Sequence, residues 1–284
     1  MPTPKAIFLD MDGTLLNHDN QVTERTKDVI KQIRAKGIKV FVATGRGNEE
    51  IYPTAPDDFE IDGFISSNGM SGYLSGRKLF EYTLPVKLVK EVIIKARTHQ
   101  VYYELFPTQG ACLAERQDYP YFSKETYEPK PESVGINEWT ERLESMEQAI
   151  EWVDKIEEGQ YSKFYFFSKE QAHIQSWGAV LASLQETLPF STSSSTPHNI
   201  ELMVAGKNKA TAIEEFLAEL AIDAADILVM GDSFNDVQMF ALAGEAVAMK
   251  NAPKEIKDLA TDVTTHTCDE EGVYHYLYSR FLTK

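Results

Sequence analysis

The sequence predicts an α/β protein: a parallel sheet with helices on both faces, interrupted by an inserted α+β module. Three observations predict it. Short apolar runs alternate with helix-period segments at both ends of the chain, as buried parallel strands and crossover helices do. Those runs stop at polar turns that carry Asp10 and Asp12, Thr44, and Asp232 and Asp236. The stretch between them has a different texture, with aromatic strand-like pieces and a Pro-rich loop. This division places a core in residues 1–84 and 206–284 and an insertion in residues 85–205.

Taken in order, Lys5–Leu9 is a buried strand that ends at the DMDGTLL turn. Thr23–Lys36 is a helix with Thr23 as N-cap, Val29, Ile30 and Ile33 on one face, and Gly37 behind its end. Lys39–Ala43 is a second buried strand, stopping at Thr44-Gly45-Arg46, and Phe64-Ile65 marks a third, ending in SSNG. In the insertion, Val86–His99 reads as a helix, Val101–Phe106 and Ala111–Ala114 as strands, and Pro120, Pro129 and Pro131 as markers of a loop. A helix is expected around Met146–Ile156, an aromatic strand at Lys163–Phe167, a helix carrying Ile174, Trp177 and Leu181, a surface loop at Ser191–Ser195, and a strand at Asn199–Val204. The core resumes with a helix at Lys209–Leu220, a strand at Ile227–Met230, a helix at Asp236–Ala243 and a strand at Ala246–Met249.

Bulk properties narrow the function. A formal charge of −16 disfavours nucleic acid and anionic membranes as partners. Cys112 and Cys268 lie far apart in no metal or redox pattern, which suits reduced thiols and a cytoplasmic protein. No apolar run is long enough to cross a bilayer, and the N-terminus shows no secretory h-region. A monomer is the default expectation.

Ligands of open α/β sheets bind beyond the carboxyl ends of the strands. Asp10, Asp12, Thr44, Asp232 and Asp236 should therefore converge on one crevice. Carboxylates gathered there repel unless a cation joins them. Mg²⁺, a hard ion content with few carboxylates and several waters, fits best. Lys209 opens a helix, after Asn208 as N-cap, where a cation opposes the dipole and a phosphate would bind. Lys207 is the competing candidate for that role.

DMDGTLL, ATGR, the SNG after the third strand, KNKA and GDSFND together resemble the motif series of the haloacid dehalogenase-like superfamily. More narrowly, they are similar to its Cof-type phosphatases, which carry a type IIB cap. The likeness runs from Lys5 to about Gly69 and from about Glu201 to Gly272, and AVAMKNAPKEIKDLATDVT and DEEGV fit its C-terminal stretch. It implies a Rossmann-like core and a cap that selects the leaving group of a small phosphorylated metabolite. Asp10 would be the nucleophile that forms an aspartyl-phosphate, and Asp12 the general acid and then base. Thr44 would bind a phosphoryl oxygen, and Lys209 would hold nucleophile and phosphate together. Gly45, Arg46, Asn68 and Asn235 would serve substrate and phosphate. Asp232 would ligate Mg²⁺ with the Asp10 carboxylate and the Asp12 carbonyl, supported by Asp236. Two departures stand out: Lys209-Ala210 replaces the usual Lys-Gly, and Lys250 replaces a Gly. Arg46 could reach substrate or form a structural salt bridge, and Lys250 could attract anions or be a solvated lysine. Tyr121, Lys163, Tyr165 and His198 are candidate cap contacts. Sugar phosphates, phosphorylated cofactors and nucleotides remain open as substrates. A phosphosugar mutase or a non-catalytic phospho-ligand sensor is the alternative. The insertion offers a mutase only Arg97, Arg116 and Arg142, and the intact Asp10, Asp12, Lys209 and Asp232 disfavour a sensor.

Overall fold

The computed structural model describes residues 3–283, which form two compact units. One comprises the chain up to Glu81 and from Lys207 on; the other is Tyr82–Gly206. The first unit begins with β1 (Ala6–Leu9), α1 (Glu24–Ala35), β2 (Lys39–Ala43), β3 (Gly63–Ser66), β4 (Ser71–Leu74) and β5 (Arg77–Glu81). The second unit follows with α2 (Val86–His99), β6 (Tyr102–Pro107), β7 (Cys112–Glu115), α3 (Tyr119–Glu125), α4 (Ile136–Glu144), β8 (Ile150–Val153), β9 (Tyr161–Phe167), α5 (Gln171–Gln185), β10 (Phe190–Ser193) and β11 (Asn199–Val204). The first unit is completed by α6 (Lys209–Leu220), β12 (Ile227–Gly231), α7 (Val237–Leu242), β13 (Glu245–Ala248), α8 (Lys254–Lys257), β14 (Asp262–Val263) and α9 (Gly272–Phe281).

Eight strands of the first unit form one sheet in the order β14-β13-β12-β1-β2-β3-β4-β5. It is parallel from β14 to β3 and antiparallel beyond. Alternation along the central strands divides two cores. Ile7, Leu9, Val40, Val42, Leu228 and Met230 face Val29, Ile30 and Ile33 of α1 and Val273 and Leu277 of α9. Ala6, Phe8, Phe41 and Val229 face Ile213, Phe216 and Leu217 of α6 and Met239 and Phe240 of α7. Phe8 stacks on Phe41 with ring centroids 4.8 Å apart, and Phe216 meets Phe41 edge-on at 5.4 Å. Burial on both faces explains why these strands are apolar throughout. Thr23 caps α1 by accepting from the Thr26 N–H, as its position predicts. The β4–β5 hairpin and α9 were not anticipated. The hairpin turns on Ser75-Gly76, where both residues have positive φ, the conformation a two-residue hairpin loop demands.

The second unit has a six-stranded sheet in the order β10-β11-β9-β6-β7-β8. The FYFF strand is core: Phe164 stacks on Phe166, which meets Trp177 of α5 at 5.0 Å. Three expectations for this unit need correction. Instead of a helix over Met146–Ile156, α4 ends at Glu144 and β8 covers Ile150–Val153. The helix lies earlier, burying Trp139 and part of Leu143, whereas buried Ile150 alternates with exposed Glu151. Pro120 sits in the first turn of α3 rather than in a loop, where its missing N–H costs nothing. Ser191–Ser195 is not simply a loop, because Phe190–Ser193 pairs with β11 as an edge strand. Among the described residues, no helix is long and apolar enough to cross a membrane.

Candidate active site

The carboxyl ends of β1, β2 and β12 lie side by side, so Asp10, Thr44 and Asp232 emerge on one edge of the sheet. Lys209, the first residue of α6, is fully buried there. Its Nζ lies 2.5 Å from Asp10 Oδ1 and 2.6 Å from Asp236 Oδ1. Asn208 caps the helix by accepting from the Thr211 N–H, which directs the lysine inward. Lys207, the competing candidate, pairs with Glu215 instead.

Asp236 is committed at both oxygens. Its second oxygen accepts the backbone N–H groups of Asp232 and Ser233 at 2.9 and 3.1 Å. It thereby fixes the turn after β12, from which Asp232 projects. Thr14 donates to the Asp232 carboxylate at 3.4 Å. Gly13 lies against that carboxylate with φ +73°, and a Cβ there would fall 2.3 Å from Asp232 Oδ2. The DGT turn therefore needs its glycine twice over, for conformation and for space.

Asp12 is held apart from these buried groups. Arg46 grips its carboxylate through Nε at 3.0 Å to each oxygen and through Nη2 at 2.5 Å, and the same Nη2 donates to Asn20 at 3.1 Å. Arg46 therefore does form a salt bridge. Thr44 is buried, and its hydroxyl accepts the Arg46 N–H at 3.1 Å. Gly45 is half-buried between them. The SNG turn docks on this loop: Asn68 N–H donates to the Thr44 carbonyl at 2.9 Å and Ser67 N–H to the Arg46 carbonyl at 2.8 Å. Asn235 joins the two halves of the site by donating to Asn68 Oδ1 at 3.3 Å.

Electrostatics follow from this crowding. Burial pushes the Asp10 carboxyl up to about 8; the Asp236 charge adds to the rise, and Lys209 only partly offsets it. Asp232 is also pushed well above the ordinary carboxylate range, by burial and then by Asp10 and Asp236. Burial opposes the Lys209 ammonium, yet Asp10 and Asp236 outweigh it and keep the amine charged. Three carboxylates share one ammonium, so the cluster lacks positive charge. Oxygens of Asp10, Asp232 and Asp236 lie within 4.8 Å of one another. A hard, oxygen-only donor set with excess negative charge fits Mg²⁺.

The other candidates have partners of their own. Lys250 pairs with Glu270 at 3.0 Å. Within the second unit, Lys163 is buried in an ion pair with Glu201, and the Tyr165 hydroxyl donates to Glu138 at 2.8 Å. Tyr121 packs on Phe122, and the His198 ring bonds the Ser168 carbonyl and the Ser133 hydroxyl. Thr14, Asn20 and Asn251 were not singled out from sequence. Asn251 donates to the Gly13 carbonyl at 2.7 Å. It adjoins Lys250 in the AMKNA stretch, so the only available signal was its neighbour's departure from the family pattern.

Known proteins resemble this chain along nearly its whole length. Phosphatase YwpJ of Bacillus subtilis is 29% identical over 96% of this chain and 98% of its own length. The 5-amino-6-(5-phospho-D-ribitylamino)uracil phosphatase YwtE of the same organism is 26% identical, with 96% of both chains covered. The solved structure of a haloacid dehalogenase-like hydrolase from B. subtilis superposes with a TM-score of 0.80 at 26% identity, covering 98% of this chain and 100% of that one. The family model for haloacid dehalogenase-like hydrolases matches residues 7–277, nearly the whole chain, and the protein therefore belongs to that family.

Proposed function

We propose that this protein is a Mg²⁺-dependent phosphatase that hydrolyses a small phosphorylated metabolite, a sugar phosphate or phosphorylated cofactor, through an aspartyl-phosphate on Asp10. The observation that carries the reading is the burial of Lys209 between Asp10 and Asp236, with Asp232 beside them. This supports the reading, because phosphoryl transfer requires a nucleophile, a fixed cation and a cation-binding carboxylate set at one point.

The free oxygen of Asp10 attacks phosphorus while Lys209 holds the other and neutralises charge on the transferring group. Asp12, which must take up a proton and loosen from Arg46 to act as the acid, would give that proton to the departing oxygen and then take one from the water that opens the aspartyl-phosphate. The Thr44 hydroxyl donates to a phosphoryl oxygen, and Asn235 and Asn68 keep the surrounding turns in place. Asp10, the Asp12 carbonyl and Asp232 would hold Mg²⁺, with Asp236 orienting them; the bound ion supplies charge neutralisation at the phosphoryl oxygens. The unit Tyr82–Gly206 would act as the cap that chooses the leaving group.

Two observations bear on substrate and acceptor. YwtE is named for a small phosphorylated metabolite, which supports that class here. The three arginines available to a mutase are engaged within their own unit: Arg97 with Asp118 and Glu115, Arg116 with Asp154, and Arg142 with Glu104. That favours water as the acceptor. The test is phosphate release from para-nitrophenyl phosphate and a metabolite panel, with Mg²⁺ and with EDTA. Asp10→Asn should lower turnover at least about a thousandfold. Comparable turnover in that variant, or release undiminished by EDTA, would refute the mechanism.

A further inference from the structure

A second group of metal-ligating side chains lies in the first unit, outside the acidic cluster. His18 stands in the loop after the DGT turn, and Cys268 and Asp269 stand in the loop before α9. One ligand atom from each, a ring nitrogen of His18, Cys268 Sγ and an Asp269 oxygen, all lie within 4.8 Å of one another. We propose that His18, Cys268 and Asp269 form a second divalent-cation site, built for a borderline ion such as Zn²⁺ rather than for Mg²⁺.

The donor set carries the argument. Nitrogen, sulfur and oxygen donors select Zn²⁺ and its neighbours, whereas Mg²⁺ prefers oxygen alone, as in the Asp10–Asp232–Asp236 cluster. Zinc bonds of about 2.0–2.3 Å place tetrahedral ligand atoms roughly 3.3–3.7 Å apart. The three ligand atoms lie within 4.8 Å of one another, and the His18 ring already contacts Asp269, so side-chain rotation is enough to set them around one ion.

The loops are already fixed in this arrangement. Asp269 accepts the His18 backbone N–H at 2.8 Å and also contacts its ring. Asn17 shapes the His18 loop by accepting the N–H groups of Asp19 and Gln21 at 3.0 Å. The Cys268 N–H donates to Asn251 Oδ1 at 3.0 Å. His18 and Asp269 are exposed and offer an entry path, while Cys268 is buried behind them. Asn251 also bonds the Gly13 carbonyl, so an ion held here lies one side chain away from the DGT turn.

Cobalt(II) is the probe, added to the metal-free protein with excess Mg²⁺ to occupy the all-oxygen cluster. The wild-type protein should bind one equivalent with an intense thiolate-to-cobalt charge-transfer absorption. Cys268→Ser should lose that absorption. His18→Ala, at an exposed position where folding is not at issue, should weaken cobalt binding at least about tenfold. The proposal is overturned if folded wild-type protein shows no sulfur absorption at saturating Co²⁺. It is equally overturned if His18→Ala and Asp269→Asn bind as the wild type does, because Cys268 would then act alone. Neither readout uses phosphate release, so this inference and the proposed phosphatase activity stand or fall separately.

Discussion

Replacing the nucleophile should stabilise the metal-free protein, by an amount that grows with pH. Asp10 is buried, and its carboxyl is raised from 3.8 to about 8. Below about pH 4, Asp10 is protonated in both the folded and unfolded chains and costs nothing. As pH rises, the unfolded chain releases the proton while the folded protein retains it, so stability falls until about pH 8 and then levels off. At about 1.4 kcal/mol per pKa unit, a shift of roughly four units is worth roughly 6 kcal/mol. Asp10→Asn removes this slope, and the Lys209–Asp236 pair remains in place. Urea unfolding of both proteins in EDTA at pH 4.5, 6 and 8 should therefore show the variant gaining several kcal/mol over wild type across that range. Saturating Mg²⁺ should stabilise the wild type and close the gap. A difference that does not change with pH would refute the account of Asp10 as a charge crowded by burial and neighbouring carboxylates.

Lys209→Met leaves Asp10 and Asp236 buried without their cation, so it should cost about 3–5 kcal/mol in EDTA by urea unfolding. The same variant should lose nearly all turnover; retention of most of it would make Lys209 a structural counter-ion only. Gly13→Ala forces a Cβ into the Asp232 carboxylate and should weaken Mg²⁺ activation at least about tenfold in a titration of activity. Unchanged Mg²⁺ dependence would mean that Asp232 is not a ligand. Arg46→Lys gives up the multidentate grip on Asp12. If Arg46 positions the general acid, an alkyl phosphate should slow about tenfold or more while para-nitrophenyl phosphate, whose leaving group needs little protonation, slows less. Equal losses on the two substrates would count against that role.

Much of the fold is legible because its signals are local. Lys39–Ala43 and Asn199–Val204 coincide with the observed strands, and Val86–His99 and Lys209–Leu220 with the observed helices, each a run of one period between clear stops. The candidates Asp10, Thr44 and Asp232 stand at strand ends, so reading the strands also locates them, whereas Lys209 opens a helix. What escapes the sequence depends on tertiary partners. Ser71–Leu74 is too short and too rich in Ser and Gly to announce a strand, and is one because β3 pairs with it. Phe190–Ser193 owes its extended form to β11 in the same way. The grip of Arg46 on Asp12 spans 34 residues, and the hold of Asn251 on Gly13 spans 238. No periodicity encodes such distances.

The sheet order has a consequence for how the protein is made. β1 lies between β2 and β12, so one edge of the first strand must wait for a partner more than two hundred residues downstream. At about 5–20 residues per second, that interval is roughly 10–40 s. During it a nascent chain presents an unpaired apolar strand that carries Asp10 at its end and has neither Lys209 nor Asp232. The unit Tyr82–Gly206 is synthesised within that gap. Premature termination anywhere before β12 would therefore yield an incomplete sheet with an exposed hydrophobic edge, a species for chaperones and proteases rather than a slow enzyme.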